Sequence, residues 1–166
     1  MSASITRKYF ASGLSSSVNV NTGSALRNTF NYYRTMSPYY EYSSSQNSNY
    51  TFNKGIEKGN LISIPSIFYG SSIKKGTVNL KYYISGTLIG ELEDIKKNGE
   101  LVQTGPAGSK NSGSTAGVVL YNEGFVYLSG SWTMNGENIA YDATDHSRWV
   151  YFGAGANDGL AHGNST

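Results

Sequence analysis

The sequence contains no cysteine, little charge and only two histidines. Without cysteine, disulfide bonds, thiolate metal sites and thiol catalysis are all excluded. Charged residues make up 14% of the 166 residues, whereas an average soluble protein has roughly 25%. A surface covered by Ser, Thr, Asn and Gly lacks the charge that keeps a protein apart from its neighbours. This composition favours a protein that packs against other molecules.

Long runs of cations and of apolar residues are also missing. The net charge is +2, and the basic residues stand in pairs such as Lys74-Lys75 and Lys96-Lys97, which are too short to neutralise a nucleic-acid backbone. Residues 1–16 lack the roughly 7–15 residue apolar stretch of a signal peptide, and no segment approaches the roughly 20 residues that cross a bilayer. We therefore expect a protein made in the cytoplasm, with neither nucleic acid nor a membrane as partner.

Residues 1–52 differ in composition from the rest of the chain. Ser, Asn and Tyr dominate, and residues 43–49 ("SSSQNSN") are of low complexity. The many aromatic residues argue against a free linker, since disordered segments are usually depleted in them. We interpret 1–52 as an extended N-terminal arm that docks on a partner; the alternative is a set of peripheral strands of the same domain. A short helix is predicted over residues 24–33, with Ser24 as its N-cap.

Tyrosine provides a large, fairly rigid contact area with a hydroxyl that tolerates partial exposure, and it is enriched at protein interfaces. The arm is therefore predicted to bind a neighbouring subunit through its aromatic side chains, by strand addition or as a row of anchors. The predicted interface residues are Tyr9, Phe10, Tyr32, Tyr33, Tyr39, Tyr40 and Tyr42.

From Gly59 onward, short alternating segments indicate β-strands. Around Leu80 and Tyr82 one face is apolar, whereas Asn79 and Lys81 point to the other, which is typical of a half-buried antiparallel strand. Pro65 within "NLISIPSIFYG" favours an edge strand or a bulge, because proline cannot donate to a sheet ladder.

Turn signals separate these segments. Asn98-Gly99 predicts a hairpin with a type I′ turn, and Lys74-Lys75-Gly76 predicts another that ends on a glycine in the left-handed conformation. The "NEG" connection at residues 122–124 joins two further apolar segments. The prediction is an all-β fold, an antiparallel β-sandwich or barrel-like domain over residues 53–160, with a flexible tail at 161–166.

Three strings of this sequence carry a resemblance: "LISIPSIFYGSSIKKGTVNLKYYISGTLIGELED", "GVVLYNEGFVYLSGSW" and "RWVYFGAGANDG". Together they resemble a β-rich module of virion structural proteins from marine tailed phages, in particular cyanophage-like myoviruses. The resemblance covers about residues 61–159 and does not include a catalytic signature. It implies a non-enzymatic building block without a cofactor, present in many copies on the capsid, neck, tail or baseplate. Its expected partners are copies of itself and other virion proteins, and its expected location is the virion.

The polar clusters that contain catalytic or metal-ligating residue types each have a simpler interpretation. Asp142, Asp145 and His146 match no metal-ligand spacing, and a polar turn explains them. The other histidine, His162, lies in the Gly- and Ser-rich tail. The "GAGANDG" loop lacks the lysine of a phosphate-binding loop. We therefore predict no catalytic, cofactor or metal site.

Three carboxylates, Glu91, Glu93 and Asp94, would suit a glycosidase if two of them faced each other across a groove. Alternate residues of a strand share one face, however, and a solvated face whose charges pair with Lys96-Lys97 explains Glu91 and Glu93 more simply. The prediction is that they are not catalytic.

Trp132 and Trp149 carry the alternative function, in which a receptor-binding module recognises a host surface glycan by stacking the two rings on sugars. Both lie within apolar alternation, "SGSWTM" and "RWVYFG". Core packing is the interpretation that this pattern favours.

Overall fold

The computed structural model describes residues 6–10, 26–42, 59–134 and 147–153, with the backbone alone for residues 6–10. The strands are β1 (Thr6–Phe10), β2 (Gly59–Ser63), β3 (Asn79–Ile84), β4 (Thr87–Glu93), β5 (Glu100–Gly105), β6 (Thr115–Leu120) and β7 (Phe125–Leu128). One α-helix, α1 (Arg27–Tyr33), and three 3₁₀ turns, Pro38–Tyr40, Ser66–Phe68 and Trp149–Tyr151, accompany them.

Strands β2 to β7 form one curled antiparallel sheet with the shape of a half-barrel, and β1 extends it by pairing with β2. The spatial order is β1-β2-β7-β6-β5-β4-β3. The predicted all-β, antiparallel, barrel-like class is confirmed, with one short helix in addition. The described residues form a single sheet rather than the two of a sandwich.

The order of strands separates β2 from β3, which follow each other in the chain but have four other strands between them in the sheet. Residues 64–78 therefore form a crossover and not a hairpin, so the hairpin predicted at Lys74-Lys75-Gly76 is wrong. Its glycine is nevertheless left-handed as predicted, with a φ of 77°.

The other two predicted hairpins are present. β4 returns as β5, and β6 returns as β7 through Asn122-Glu123-Gly124. The connection between β4 and β5 runs from residue 94 to residue 99 and is longer than the predicted two-residue turn. It is not of type I′, because positive φ values occur at Lys97 and Gly99 and not at Asn98.

The N-terminal segment covers one face of the sheet. Phe30 of α1 contacts the ring of Tyr127 edge-on at 5.2 Å between centroids, and the Tyr40 hydroxyl donates to the Val119 carbonyl. Both Phe30 and Tyr40 are buried. Within the predicted arm, residues 26–42 thus pack on the sheet. The remaining arm residues, apart from β1, lie outside the described residues.

The N-cap of the helix lies two positions later than the sequence suggests. Leu26 occupies the N-cap position and makes no side-chain hydrogen bond there. Ser24, the predicted N-cap, lies outside the described residues. Burial of Phe30 and Tyr33, three residues apart on one face, holds the helix against the sheet in place of a polar cap.

The C-terminal segment covers the opposite face. Trp149 is fully buried and lies 5.7 Å from the ring of Tyr82 and 6.1 Å from that of Phe152, between centroids. Gly90 of β4 lies beneath the indole, and a Cβ added there would approach the Trp149 ring to 2.5 Å. The central strands β5, β6 and β7 are therefore buried on both faces.

Candidate functional site

One end of the sheet gathers three connections, which we call the loop end: residues 64–78, 94–99 and 121–124. Because the strands are antiparallel, β2, β4 and β6 finish at this end, and β3, β5 and β7 begin there. The crossover 64–78 must pass over the other two turns to reach β3. It therefore forms a strap across the end of the half-barrel.

Hydrogen bonds donated by backbone amides of the strap attach it to the two turns in spatial order. The Ile64 amide donates to the Gly124 carbonyl at 2.8 Å, and the Ile73 amide donates to the Tyr121 carbonyl at 2.9 Å. Further along, the Gly76 amide donates to the Asp94 carboxylate at 2.7 Å. Three attachment points fix the path of a segment that has little regular structure.

Asp94 is the centre of this arrangement. Its side chain is 1% exposed, and its two oxygens accept three hydrogen bonds. Oδ1 accepts from the Gly99 amide at 3.1 Å, whereas Oδ2 accepts from the Gly76 amide and, at 2.5 Å, from the Tyr121 hydroxyl. Burial, together with the bond to Asp94, raises the pKa of Tyr121 above its ordinary value. Tyr121 therefore keeps its proton and donates a hydrogen bond to the Asp94 carboxylate. We assign this bond a structural role.

Glu100 is the second buried carboxylate near this end. It accepts hydrogen bonds from Ser37 at 2.7 Å, Lys96 at 2.5 Å and Asn98 at 3.1 Å. Burial acts to raise the pKa of Glu100, but these donors and the Lys96 charge hold the pKa below its ordinary value. Glu100 thus attaches the N-terminal segment, through Ser37, to the turn between β4 and β5.

The carboxylates proposed for a glycosidase do not share a groove. Asn79 on β3 donates its amide to both Glu91 and Glu93, at 2.9 Å each, and Lys81 lies 3.4 Å from Glu91. The hydrogen bond from Asn79 and the charge of Lys81 hold the pKa of Glu91 below its ordinary value. Asp94, by contrast, is buried. The predicted charge pairing is present, but with the neighbouring strand; the predicted partner Lys96 binds Glu100 instead.

The surface of the loop end combines cations with exposed apolar side chains. Lys74, Lys75 and Lys97 are exposed, and no carboxylate of the described residues forms an ion pair with any of them. The apolar side chains protrude on either side of these lysines: Ile67 is 54% exposed, Phe68 58% and Ile95 57%.

The seven predicted interface residues have different environments. Tyr33 and Tyr40 are buried in the core of this chain, so they offer no free surface to a partner. Tyr33 donates to Glu123 at 2.9 Å, and burial, together with that carboxylate, raises the pKa of Tyr33 to about 12. Tyr32 is 72% exposed. The others are half-buried against the core, namely Tyr39 and Tyr42, or have only their backbone described, namely Tyr9 and Phe10 in β1.

Both tryptophans donate to one buried glutamine, Gln103, which sequence reasoning missed. The indole N–H of Trp149 lies 2.9 Å from Gln103 Oε1, and that of the half-buried Trp132 lies 3.2 Å from the same oxygen. Core packing of Trp149 is confirmed. Because its ring is fully buried, Trp149 offers no stacking face to a sugar, and the glycan alternative retains Trp132 alone.

The described residues provide no support for a metal site or for a catalytic histidine. Asp142, Asp145, His146 and His162 lie outside the described residues. In the part of the chain that the structure describes, no three His, Asp or Glu side chains gather as metal ligands would. No helix in those same ranges is both long and apolar enough to cross a bilayer.

Comparison with known proteins identifies no relative. The chain matches no protein-family model, no curated protein and no solved structure.

Proposed function

We propose that this chain is a non-enzymatic structural protein of a tailed-phage virion, which assembles in multiple copies on the capsid, neck, tail or baseplate. The sequence resemblance over residues 61–159 provides the virion context. The low charge of the sequence and the exposed tyrosines described next support assembly. Catalysis has no support among the described carboxylates discussed above, because Glu91 and Glu93 are bound by Asn79, whereas Asp94 and Glu100 are buried.

The observation that carries the proposal is the exposure of two tyrosines at different margins of the domain. Tyr32, on the outer side of α1, is 72% exposed, and Tyr83, on the outermost strand β3, is 54% exposed. Exposed tyrosines on a surface with little charge suit contacts between proteins. Among the predicted interface residues whose side chains are described, Tyr32 is also the most exposed.

Side chains, and not the open edge of β3, are expected to make these contacts. β3 is outermost in the sheet, but Lys81 lies on its exposed face and a register shift occurs between Tyr82 and Tyr83. Charged residues and bulges are the features with which proteins blunt an edge strand against further pairing.

Light scattering over a concentration series tests the proposal. Deleting residues 1–52 is unsuitable, because it removes Phe30 and Tyr40 from the core. Instead, the wild-type chain is compared with the Tyr32→Ser variant and with Asn31→Ser, an exposed change on the same helix. We expect the wild-type mass to rise with concentration and the Tyr32→Ser variant to require about tenfold more protein, since a central interface tyrosine contributes about 1–2 kcal/mol. A wild-type chain that stays monomeric throughout would contradict self-assembly.

Glycan recognition, the alternative function, is not favoured by any specific observation. Trp149 is buried, and the indole N–H of Trp132 is occupied by Gln103.

A further inference from the structure

We propose that the loop end is a peripheral docking surface for an anionic lipid bilayer. The proposal goes beyond the virion function and does not rest on it, because it concerns the purified chain and a lipid surface only. It departs from the expectation above that a membrane is not a partner, which rested on the lack of an apolar segment long enough to span a bilayer and not on the surface of the folded domain. It is argued from the order of cations and apolar side chains along this end of the sheet.

The strap fixes that order. Ile67 and Phe68 lie near the beginning of β7, because the next residue, Tyr69, lies against Gly124. Ile95 lies two residues after the end of β4. In the sheet, β7 and β4 are separated by β6 and β5, so the two apolar protrusions belong to different parts of the loop end.

The lysines lie between the two protrusions. The Lys75 ammonium lies 5.6 Å above the ring of Tyr121, at the end of β6. The Lys97 side chain lies against Gly76, where an added Cβ would be 3.0 Å from Lys97 Cγ. Lys74 is exposed in the same turn. The surface is therefore a row: apolar, cationic, apolar.

This composition fits a lipid surface better than a protein interface. The core of a protein interface is enriched in Tyr, Trp and Arg and depleted in Lys, whereas the cations here are all lysines. Phe and Ile at loop tips can enter the headgroup boundary while lysines meet anionic headgroups, as they do in peripheral membrane proteins. The buried Asp94 carboxylate holds the backbone of the two lysine-bearing turns together, so the row is formed before it meets a partner.

Vesicle sedimentation tests the proposal. Full-length protein is mixed with vesicles of phosphatidylcholine alone, or of equal parts phosphatidylcholine and phosphatidylglycerol, at low and high salt. We expect binding to the anionic vesicles only, and weaker binding at high salt because the charges are exposed and screened.

Matched variants assign the binding to the loop end. Lys74→Glu should weaken binding by at least about fivefold, whereas Lys110→Glu, the same charge change in the loop between β5 and β6 at the opposite end, should leave it nearly unchanged. Phe68→Ser should weaken binding by about tenfold, whereas Tyr83→Ser, at similar exposure on β3, should not. Thermal melting confirms that each variant is folded.

Two results would overturn the proposal. One is equal loss of binding for Lys74→Glu and Lys110→Glu, which would show that only net charge matters. The other is absence of binding to either vesicle; if Phe68→Ser then also abolishes self-association in light scattering, the loop end is assigned to protein contacts. Vesicle binding by a monomeric chain would leave the lipid proposal standing even if self-assembly failed.

Discussion

Replacing Asp94 by Asn is expected to destabilise the fold by about 3 kcal/mol. The carboxylate accepts from the Gly76 amide, the Gly99 amide and the Tyr121 hydroxyl, and it is almost fully buried. An asparagine in the same position offers one acceptor oxygen instead of two. Its NH₂ group must face at least one of the backbone donors, and a buried donor without a partner costs about 1–3 kcal/mol. The bonds that remain also lose the assistance of the negative charge.

Urea unfolding followed by tryptophan fluorescence measures this effect. Glu93→Gln is the matched control, because it makes the same chemical change one residue away at a half-exposed site and should stay within about 0.5 kcal/mol of the wild type. Adding Tyr121→Phe to Asp94→Asn should cost less than the two changes summed, since the Tyr121 hydroxyl has by then lost the charge that it binds. If the free energy of unfolding of the Asp94→Asn variant lies within about 0.5 kcal/mol of the wild-type value, the role assigned to Asp94 is refuted.

Three further outcomes are expected. Gln103→Leu removes the acceptor of both indole N–H groups, of Trp132 and Trp149, and should cost about 2–4 kcal/mol in urea unfolding; no loss would contradict the shared bond. Gly90→Ala inserts a methyl group against the Trp149 ring and should cost about 1–3 kcal/mol by the same assay; a stabilised variant would show that the site has room. The folded-state pKa of Glu100 is lowered, so its contribution is fully present above the unfolded pKa and is lost as pH falls through the folded one; Glu100→Gln should flatten this acidic limb in unfolding curves measured across that range, and an unchanged limb would exclude Glu100 as its source.

The sequence predicted the hairpins because their signal is local. Apolar alternation on both sides of Asn98-Gly99 and of residues 122–124 indicated strands that return on each other, and both pairs are present. The turn type was less predictable. The tight turn with two positive φ values lies at Ser85-Gly86, where φ is 49° and 81°. A Ser-Gly pair is also a turn signal. In the longer connection that contains Asn98-Gly99, the Gly99 amide donates to the Asp94 carboxylate, and the local turn signal does not include this contact.

Long-range features were not predictable from local patterns. Tyr33 and Tyr40 sit in a segment of polar composition, and only the sheet that they cover shows why they are buried. Asp94 stands in the sequence as one of three clustered carboxylates, although its environment differs from that of Glu91 and Glu93. The sequence does not distinguish a buried carboxylate from an exposed one, because the donors that bind the buried one come largely from other loops.

The strap between β2 and β3 has a consequence for the order in which the chain folds. Strands β3 to β7 are joined by four successive local hairpins, which form quickly because little loop entropy is lost. β2 and α1 leave the ribosome earlier, yet their partners, Tyr127 among them, are made near the end of the domain. During synthesis the apolar residues of β2 and α1 therefore stay exposed until β7 has been made. A nascent chain in that state, with many identical chains nearby, can pair its β2 with β7 of another copy, so domain-swapped dimers are the by-product to look for when this protein is expressed at high concentration.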